Sequence, residues 1–301
     1  MATGSGTTAA HDAIVVINLR SRLGADVAQC ASQELERQGI RVRASHLART
    51  GQQLLSAVRE AADSGVDYLV IGGGDGTLST TVDLLANSAH MVIGLLPIGT
   101  GNEVATALGI PMDLARACGV IASGRTVAID LAQASGDYFL HTALIGYAAR
   151  ANHTIPSWLK RRLGKAAYLC PFLATLIGSR TFHATITTEE GSHEIDTKLV
   201  LGGNGGLHLP GKILLPSSQW DEKKLVVYTP RDTHWSTSLQ LVTGLWLTHR
   251  PQPDLLRFAS TEYVTVTTVP PQPMDLDGEM ANPTPGEFRI ARSALRVRVP
   301  Q

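Results

Sequence analysis

Val66-Asp67-Tyr68-Leu69-Val70-Ile71-Gly72-Gly73-Gly74-Asp75-Gly76-Thr77 is the stretch of this 301-residue sequence that decides the fold. Its first half, residues 66–71, is rich in β-favouring apolar residues, as expected for a strand that is buried on both faces. A helical pattern follows the glycines and continues through Leu85. A glycine-rich loop between a buried strand and a helix predicts a parallel sheet. The free N–H groups and positive dipole end of such a helix suit a phosphate.

Four glycines, Gly72, Gly73, Gly74 and Gly76, surround Asp75 in this loop. Glycines permit a positive φ and let the backbone approach a ligand closely. A carboxylate beside bound phosphates is repelled unless a cation or a proton intervenes, so Asp75 indicates Mg²⁺ or acid–base chemistry. A structural turn is the alternative, because Gly and Asp are common turn residues. Four glycines around one Asp at a strand-to-helix junction favour phosphate binding, although the loop has neither the Rossmann nor the Walker pattern.

The residues on either side of this loop alternate between strand and helix signals. Strands are predicted at residues 13–17, around Val42 and at 92–96, and helices at 25–38, 54–62 and from 102 onward. This alternation predicts a doubly wound α/β domain with a parallel sheet. We place it at residues 13–125, after a disordered tail at residues 1–12.

Strand signals dominate after residues 124–129. They lie at Thr126–Leu131, Tyr138–Leu144, Phe182–Thr188, Glu194–Leu201, Leu225–Tyr228, Tyr263–Val269 and Leu295–Val299, with helical segments at Trp158–Ile177 and Trp235–Leu247. This order predicts an antiparallel β-sandwich domain at residues 126–301, whose last strand is free to return to the first domain. Ligands of open α/β sheets bind outside the carboxyl ends of the strands, so we expect the ligand in a cleft between the two domains.

Two further loops place polar side chains at the same edge of the predicted sheet. Asn18 and Ser21 follow the first strand. The loop Pro97-Ile98-Gly99-Thr100-Gly101-Asn102-Glu103 lies between a strand and a helix and offers the hydroxyl of Thr100 and the amide of Asn102 to a nucleotide. Asn102 is equally typical of a helix N-cap. Three polar, loop-forming segments at one edge are more than turn chemistry requires.

A third motif, Met274-Asp275-Leu276-Asp277-Gly278-Glu279, lies far away in the sequence. Its three carboxylates repel each other, so one interpretation is a solvated loop. The other is a catalytic base accompanied by a metal ligand or an orienting acid. The residues alone leave both interpretations open.

Composition excludes several classes of protein. Hydrophobic residues make up 44% and charged residues 17% of the chain, as in a globular protein, and 26 Lys and Arg balance 26 Asp and Glu. This balance argues against a protein that coats nucleic acid. The start of the sequence lacks the pattern of a signal peptide, and the longest apolar stretch, about 12 residues, is too short to span a bilayer. We therefore expect a cytoplasmic protein. A basic segment at residues 158–168 suits peripheral contact with the inner membrane surface, and a solvated helix with ordinary packing is the equal alternative.

The motifs together resemble the diacylglycerol kinase catalytic domain family, which includes bacterial diacylglycerol kinases and eukaryotic sphingosine and ceramide kinases. The resemblance rests on Gly73–Thr77, Gly99–Glu103 and Leu276–Glu279, in that order along the chain. It implies an N-terminal α/β nucleotide domain, a C-terminal β-sandwich, and transfer of phosphate from ATP, with Mg²⁺, to a lipid such as diacylglycerol or a sphingoid base.

The resemblance also implies roles for individual residues. Asp277, Glu279 and Asp75 are the expected catalytic residues, with the base left open between Asp277 and Asp75, and Asp75 and Glu279 are the expected metal ligands. The expected ATP-binding residues are Asn18, Ser21, Thr50, Gly72, Gly73, Gly74, Asp75, Gly76, Thr77, Gly99, Thr100 and Asn102. The family's turn with a structural Mg²⁺ is replaced here by Trp220-Asp221-Glu222-Lys223-Lys224, so that metal site is in doubt.

Two other functions remain as alternatives. A NAD kinase shares the glycine–aspartate loop, and a non-catalytic lipid-binding regulatory protein would share the fold. The order of the second loop and the late acidic motif favours the lipid kinase. No nucleic-acid partner is expected, and the sequence leaves a homodimer open.

Overall fold

The structure is a computed structural model that describes residues 11–20, 26–88, 91–154, 175, 178–204, 208–209, 212–213, 224–234, 237, 255–260 and 263–301. The chain divides into two compact units. Unit 1 comprises residues 1–129 together with 294–301, and unit 2 comprises residues 130–293. The boundary along the chain therefore lies between Ile129 and Asp130, a few residues after the predicted boundary. The last eight residues belong to unit 1 again.

Unit 1 is built from alternating strands and helices. Its elements are β1 (Asp12–Asn18), α1 (Asp26–Arg37), β2 (Arg41–Ala48), α2 (Gly51–Asp63), β3 (Tyr68–Gly73), α3 (Asp75–Ala86), β4 (Val92–Pro97), α4 (Glu103–Ala107), α5 (Leu114–Ser123) and the start of β5 (Arg125–Ala134). The sheet order is β2-β1-β3-β4, with every pair parallel. Residues 296 and 297 of the final strand β18 (Gly286–Val299) pair in parallel with β4 and continue this sheet.

The burial of each strand follows from its sequence. β3 and β4 are apolar along nearly their whole length and almost fully buried, as expected for central strands covered by helices on both faces. β2 alternates between exposed and half-buried residues, because it lies at the edge of the sheet. Asp12 of β1 accepts hydrogen bonds from Arg41 and Arg43 of β2, and these two guanidinium groups hold the pKa of Asp12 well below its usual range.

Unit 2 is almost entirely β-structure. Its elements are the rest of β5, β6 (Asp137–Phe139), β7 (Thr142–Gly146), α6 (Tyr147–Thr154), β8 (Phe182–Thr188), β9 (Gly191–Thr197), β10 (Leu199–Asn204), β11 (His208–Leu209), β12 (Lys212–Ile213), β13 (Leu225–Pro230), β14 (Leu255–Ser260), β15 (Tyr263–Val269), β16 (Met274–Leu276), β17 (Glu279–Ala281) and the first part of β18.

Two antiparallel sheets form the body of unit 2. One has the order β18-β15-β8-β9, with β5 and β6 attached to β18, and the other has the order β14-β13-β10-β7-β16-β17. Apolar side chains of both sheets share one core, in which Phe139 meets Phe288 edge-on at 6.2 Å between ring centroids. The fold class expected from the sequence, an α/β unit followed by an antiparallel β-sandwich, is confirmed.

The structure corrects three local expectations. The predicted strand at residues 138–144 is two strands, because the chain leaves one sheet at Phe139 and enters the other at Thr142. The predicted strand at residues 194–201 is likewise two strands, separated at Lys198. The acidic motif at residues 274–279 is a hairpin instead of a solvated loop.

Several predicted segments lie outside the described residues. They are the tail at residues 1–10, nearly all of the helical segments 158–177 and 235–247, and the stretch 220–223. Among the residues that are described, no helix has the length and apolar character needed to cross a membrane.

Candidate active site

The glycine loop of unit 1 joins β3 directly to α3. Gly74 precedes the helix, and Asp75 is its first residue. None of these glycines has a positive φ. A Cβ atom on Gly72 would lie 2.3 Å from Cδ1 of Ile17, and one on Gly73 would lie 2.3 Å from Oγ1 of Thr77. At Gly73 the added atom would also lie 2.5 Å from Cβ of Thr77, so a side chain has no room there, whereas at Gly72 the terminal methyl groups of Ile17 and Ile98 would have to shift.

The second loop packs directly against the first. A Cβ atom on Gly99 would lie 2.3 Å from the Cα atom and 2.8 Å from the backbone nitrogen of Gly74. Since both neighbours are backbone atoms, no rotation of a side chain relieves the contact. The two glycine loops after β3 and β4 thus form one interlocked unit, which we call the paired loops (residues 72–77 and 97–103).

Asn102 holds the second loop in shape. It has a left-handed backbone with φ 53° and is buried. Its Oδ1 accepts the N–H of Gly99 at 3.0 Å, and its Nδ2 donates to the carbonyl groups of Pro97 and Gly99 at 3.1 Å each. The side chain makes no cap hydrogen bond to α4, although Asn102 is the N-cap residue. The amide therefore braces the loop, and its contact with a nucleotide stays a prediction.

Asp75 connects the first loop to α4. Its Oδ1 accepts the backbone N–H of Val104 at 3.1 Å, so this carboxylate takes the place of a helix cap for α4. A Cβ atom on Gly101 would approach Oδ2 of Asp75 to 2.7 Å, which explains the glycine at that position. Asp75 thereby fixes the two paired loops relative to each other.

Asn18, Gly76, Thr77 and Thr100 lie at the same carboxyl edge of the unit 1 sheet, where the described strands β1, β3 and β4 end side by side. Nδ2 of Asn18 donates to Oγ1 of Thr77 at 3.0 Å, which ties the end of β1 to the first turn of α3. Gly76 and Thr100 are exposed at this edge. Ser21 lies outside the described residues.

Thr50 has a structural contact of its own. It is the N-cap of α2, and its hydroxyl accepts the N–H of Gln53 at 3.2 Å. Next to it, the end of β2 and the first turns of α2 line a surface depression of about 500 Å³. This volume is within the range of small-molecule sites, but a nucleotide contact of Thr50 stays a prediction.

The acidic motif of unit 2 forms a tight β-hairpin. Leu276 of β16 pairs with Glu279 of β17, and the two residues between them have φ values of 51° (Asp277) and 99° (Gly278). Two consecutive positive φ values define a two-residue turn of type I′, for which Asp-Gly is a preferred sequence. The dipeptide Asp277-Gly278 thus indicated a hairpin, which the interpretation of the motif as a solvated loop did not consider.

The carboxylate of Asp277 is held by three consecutive backbone N–H groups. Oδ2 accepts from Leu140 at 2.6 Å, and Oδ1 accepts from His141 and Thr142 at 2.9 Å each. Nearby, Asp275 is fully buried and accepts the N–H of Gly278 at 2.9 Å, whereas Glu279 is exposed. The three acids of the motif therefore have three different environments.

Asp130 is a buried acid that the sequence interpretation did not single out. It is 6% exposed, and its Oδ1 accepts the N–H of Ser293 at 2.7 Å. Its Oδ2 is buried without a hydrogen-bond partner among the described residues. Nδ2 of Asn204 donates to the backbone carbonyl of Asp130 at 2.8 Å. The only available signal was a single charge within the strand-like stretch at residues 126–131.

The donor atoms of the paired loops are compatible with Mg²⁺ that arrives with a nucleotide. Among the residues that the structure describes, no three His, Cys, Asp or Glu side chains are grouped to hold a metal ion. Magnesium is commonly bound through one or two carboxylates together with substrate phosphates and water, without an all-protein cage. Asp75, partly exposed beside the N-terminus of α3, is a carboxylate of this kind.

A parallel sheet whose carboxyl edge carries interlocked glycine loops and an acid at a helix N-terminus defines the class of phosphate-binding α/β domains. Residues 12–134 match the family described as the diacylglycerol kinase catalytic domain.

Two curated relatives carry the name "Probable lipid kinase YegS-like". The one from Shewanella frigidimarina is 32% identical over 175 residues, which is 56% of this chain and 56% of the relative. The one from Klebsiella pneumoniae is 29% identical over 248 residues, which is 81% of each chain. The first of these alignments thus spans little more than half the length of that relative.

Solved structures show the same fold. A structure described as a diacylglycerol kinase from Bacillus anthracis superposes with a TM-score of 0.74 at 20% identity, over 97% of this chain and 98% of that chain. A second structure from the same organism gives a TM-score of 0.80 at 22% identity, over 99% and 98% of the two chains. The likeness extends well beyond residues 12–134.

Proposed function

We propose that this protein is an ATP-dependent lipid kinase that transfers the γ-phosphoryl group of ATP to a hydroxyl group of a lipid such as diacylglycerol or a sphingoid base. The observation that carries the proposal is the pair of interlocked glycine loops, with Asp75 at the start of α3. The names of the curated relatives and the family of residues 12–134 support the choice of a lipid acceptor.

The paired loops bind the triphosphate. A side chain on Gly73 or Gly99 is excluded by packing, and one on Gly74 would meet the Cα atom of Gly99 at 3.0 Å, so the backbone of this edge stays open to an incoming phosphate. The N-terminus of the 12-residue helix α3 adds N–H groups and a positive dipole end. The hydrogen bond between Asn18 and Thr77 joins the end of β1 to the first turn of α3, and Thr100 offers an exposed hydroxyl.

Asp75 is the residue that would hold Mg²⁺ when the nucleotide is bound. The ion would neutralise phosphate charge, which is a principal requirement of phosphoryl transfer. Because Oδ1 of Asp75 is already bonded to the N–H of Val104, the carboxylate is held in a fixed orientation before any ligand arrives. Glu279 is proposed as a second acidic ligand or as an acid–base group on the acceptor side.

The reaction joins the lipid hydroxyl oxygen to the γ-phosphorus and breaks the bond between that phosphorus and the oxygen it shares with the β-phosphate. ADP leaves, and the hydroxyl proton passes to a carboxylate. Unit 2 supplies the candidate proton acceptors in its acidic hairpin, Asp277 and Glu279. The rate depends on positioning and charge neutralisation more than on covalent chemistry.

An assay with γ-labelled ATP, Mg²⁺ and a total lipid extract tests this function directly. Transfer of label to a lipid that mass spectrometry identifies as a phosphorylated alcohol is the expected result. Label transfer to NAD⁺ in place of lipid would identify a NAD kinase. Absence of ATP–Mg²⁺ binding in calorimetry would favour a non-catalytic lipid-binding regulatory protein.

The variant Asp75→Asn provides the matched inactive protein for this assay. Its amide oxygen can still accept the N–H of Val104, so the contact between α3 and α4 is kept. Loss of the negative charge should lower Mg²⁺-dependent turnover on the order of 10²-fold. Full turnover of Asp75→Asn at ordinary Mg²⁺ concentrations would contradict the role given to this carboxylate.

A further inference from the structure

The carboxylate of Asp277 is almost fully occupied by the backbone of its own unit. An ionised carboxylate has about four lone-pair positions. Backbone N–H groups of Leu140, His141 and Thr142 fill three of them, at 2.6–2.9 Å. In addition, the backbone N–H of Asp277 donates to the carbonyl of Thr142 at 2.9 Å. The side chain of Asp277 thus bonds to all three residues, and its main chain bonds to Thr142 as well.

These three residues form a corner of the β-sandwich. The chain leaves one sheet at the end of β6 and enters the other at the start of β7, with Leu140 and His141 between them. Residues in such a corner have no strand partner for all their N–H groups, and buried N–H groups need an acceptor. The carboxylate of Asp277 satisfies them across 135–137 residues of sequence.

The same contact fixes the acidic hairpin. β16 pairs with β7 through Met274, Asp275 and Leu276, and the hydrogen bond from Asp277 to Thr142 extends that ladder to the turn. Beyond the turn, Glu279 begins β17 opposite Leu276 and is exposed. The position of Glu279 is therefore set by where the turn is anchored.

We propose that Asp277 is a positioning residue, which clamps the corner at residues 140–142 and anchors the hairpin that presents Glu279, and that it does not take the proton of the acceptor hydroxyl. This inference rests on the proposed lipid kinase activity and revises the expectation from family resemblance that Asp277 is a candidate base. Asp277, with its three backbone partners, holds the geometry of the corner and the hairpin, and another group accepts the proton.

The test compares Asp277→Asn with Glu279→Gln in the full-length protein. Asparagine keeps the turn, because Asn-Gly is also favoured in type I′ turns. Its NH₂ group, however, replaces one acceptor oxygen of the clamp. Asp137→Asn is the matched control, since Asp137 is an exposed acid at the start of the neighbouring β6.

The readouts are amide hydrogen exchange at residues 140–142, the melting temperature, and kcat and kcat/KM as functions of pH. Asp277→Asn should speed exchange at residues 140–142, lower the melting temperature and lower kcat by about 10-fold. It should retain the fall in kcat/KM at low pH that reports protonation of a catalytic base. Asp137→Asn should change none of these quantities.

Two results would overturn the proposal. One is Asp277→Asn with unchanged exchange, a kcat lowered by about 10²-fold or more and no remaining fall of kcat/KM at low pH, which is the signature of a lost base. The other is Glu279→Gln with wild-type kinetics, since the anchored hairpin would then present nothing that the reaction uses. If the wild-type protein phosphorylates no lipid, the proposed function and the catalytic part of this inference fail together, while the exchange data still decide whether the clamp exists.

Discussion

The dipeptide Asp-Gly occurs in both the glycine loop and the acidic motif, and its two copies have different backbone structures. Asp75-Gly76 opens the helix α3 in unit 1, whereas Asp277-Gly278 turns the hairpin between β16 and β17 in unit 2. Gly76 lacks a positive φ and has open space around its Cα atom, and Gly278 has a φ of 99°. The same two residues thus begin a helix in one place and reverse the chain in the other.

The difference shows that glycine serves two separate physical needs in this protein. In the paired loops, Gly74 and Gly99 are required because their backbones touch, although their φ values are ordinary. In the acidic hairpin, Gly278 is required by its backbone conformation, because its φ is positive. Gly136, the matching residue of the turn between β5 and β6, also has a positive φ, and no neighbouring atom would crowd a Cβ atom there. Replacement by alanine tests both needs, because it adds a Cβ atom and also restricts φ. The first effect matters in the paired loops and the second in the hairpin.

Gly99→Ala is expected to have the largest effect on stability. Its Cβ atom would lie 2.3 Å from the Cα of Gly74, so the paired loops must move apart. We expect a loss of about 3 kcal/mol in the free energy of unfolding, the upper range for overpacking, measured by denaturant titration. Gly119→Ala in α5, where nothing lies within 4 Å, is the control and should not destabilise the protein. A neutral Gly99→Ala would show that the loops are not interlocked.

Gly278→Ala should have a smaller cost, about 1–2 kcal/mol, because alanine is strained at a φ of 99°. Gly136→Ala tests the same cause at a φ of 113° in a turn without the acidic motif. Similar losses for the two variants in denaturant titration would identify backbone conformation as the common reason. A loss confined to Gly278 would instead indicate that the acidic hairpin has a special requirement.

Gly76→Ala should have the smallest effect and the opposite sign. This position is exposed in the first turn of α3 and has room for a Cβ atom. Alanine restricts the unfolded chain, so we expect a gain of about 0.5 kcal/mol in the free energy of unfolding. Destabilisation by Gly76→Ala would mean that the two Asp-Gly copies are more alike than their backbone angles indicate.

The sequence predicted the fold where local pattern and tertiary environment agree. The apolar runs of β3 and β4 predicted central parallel strands. The predicted bounds of β8 and β15 coincide with those observed. The break at Leu140 and His141 was missed because the N–H groups of these residues are accepted by Asp277, which lies far away in the sequence. No local pattern reveals that an acid will satisfy the backbone of a distant corner.

The candidate site was predictable by residue and less so by role. Asn18, Asp75 and Asn102 do gather at one edge of the unit 1 sheet, yet their observed partners are atoms of the neighbouring loops and helix starts. Such bracing contacts depend on how close two backbones approach, which sequence spacing does not report. The sequence did not indicate a special role for Asp130, because its apolar neighbours predict only a strand.

The long strand β18 has a practical consequence for the isolation of unit 1. Its residues 294–299 belong to unit 1, where Arg296 and Val297 cover the edge of β4 and Arg298 donates to the carbonyl groups of Ile121 and Ala122. A fragment expressed as residues 11–129 would lack this strand and leave the wholly apolar β4 as an open edge, which invites aggregation. A soluble fragment needs the C-terminal segment grafted back through a linker, or supplied as a synthetic peptide.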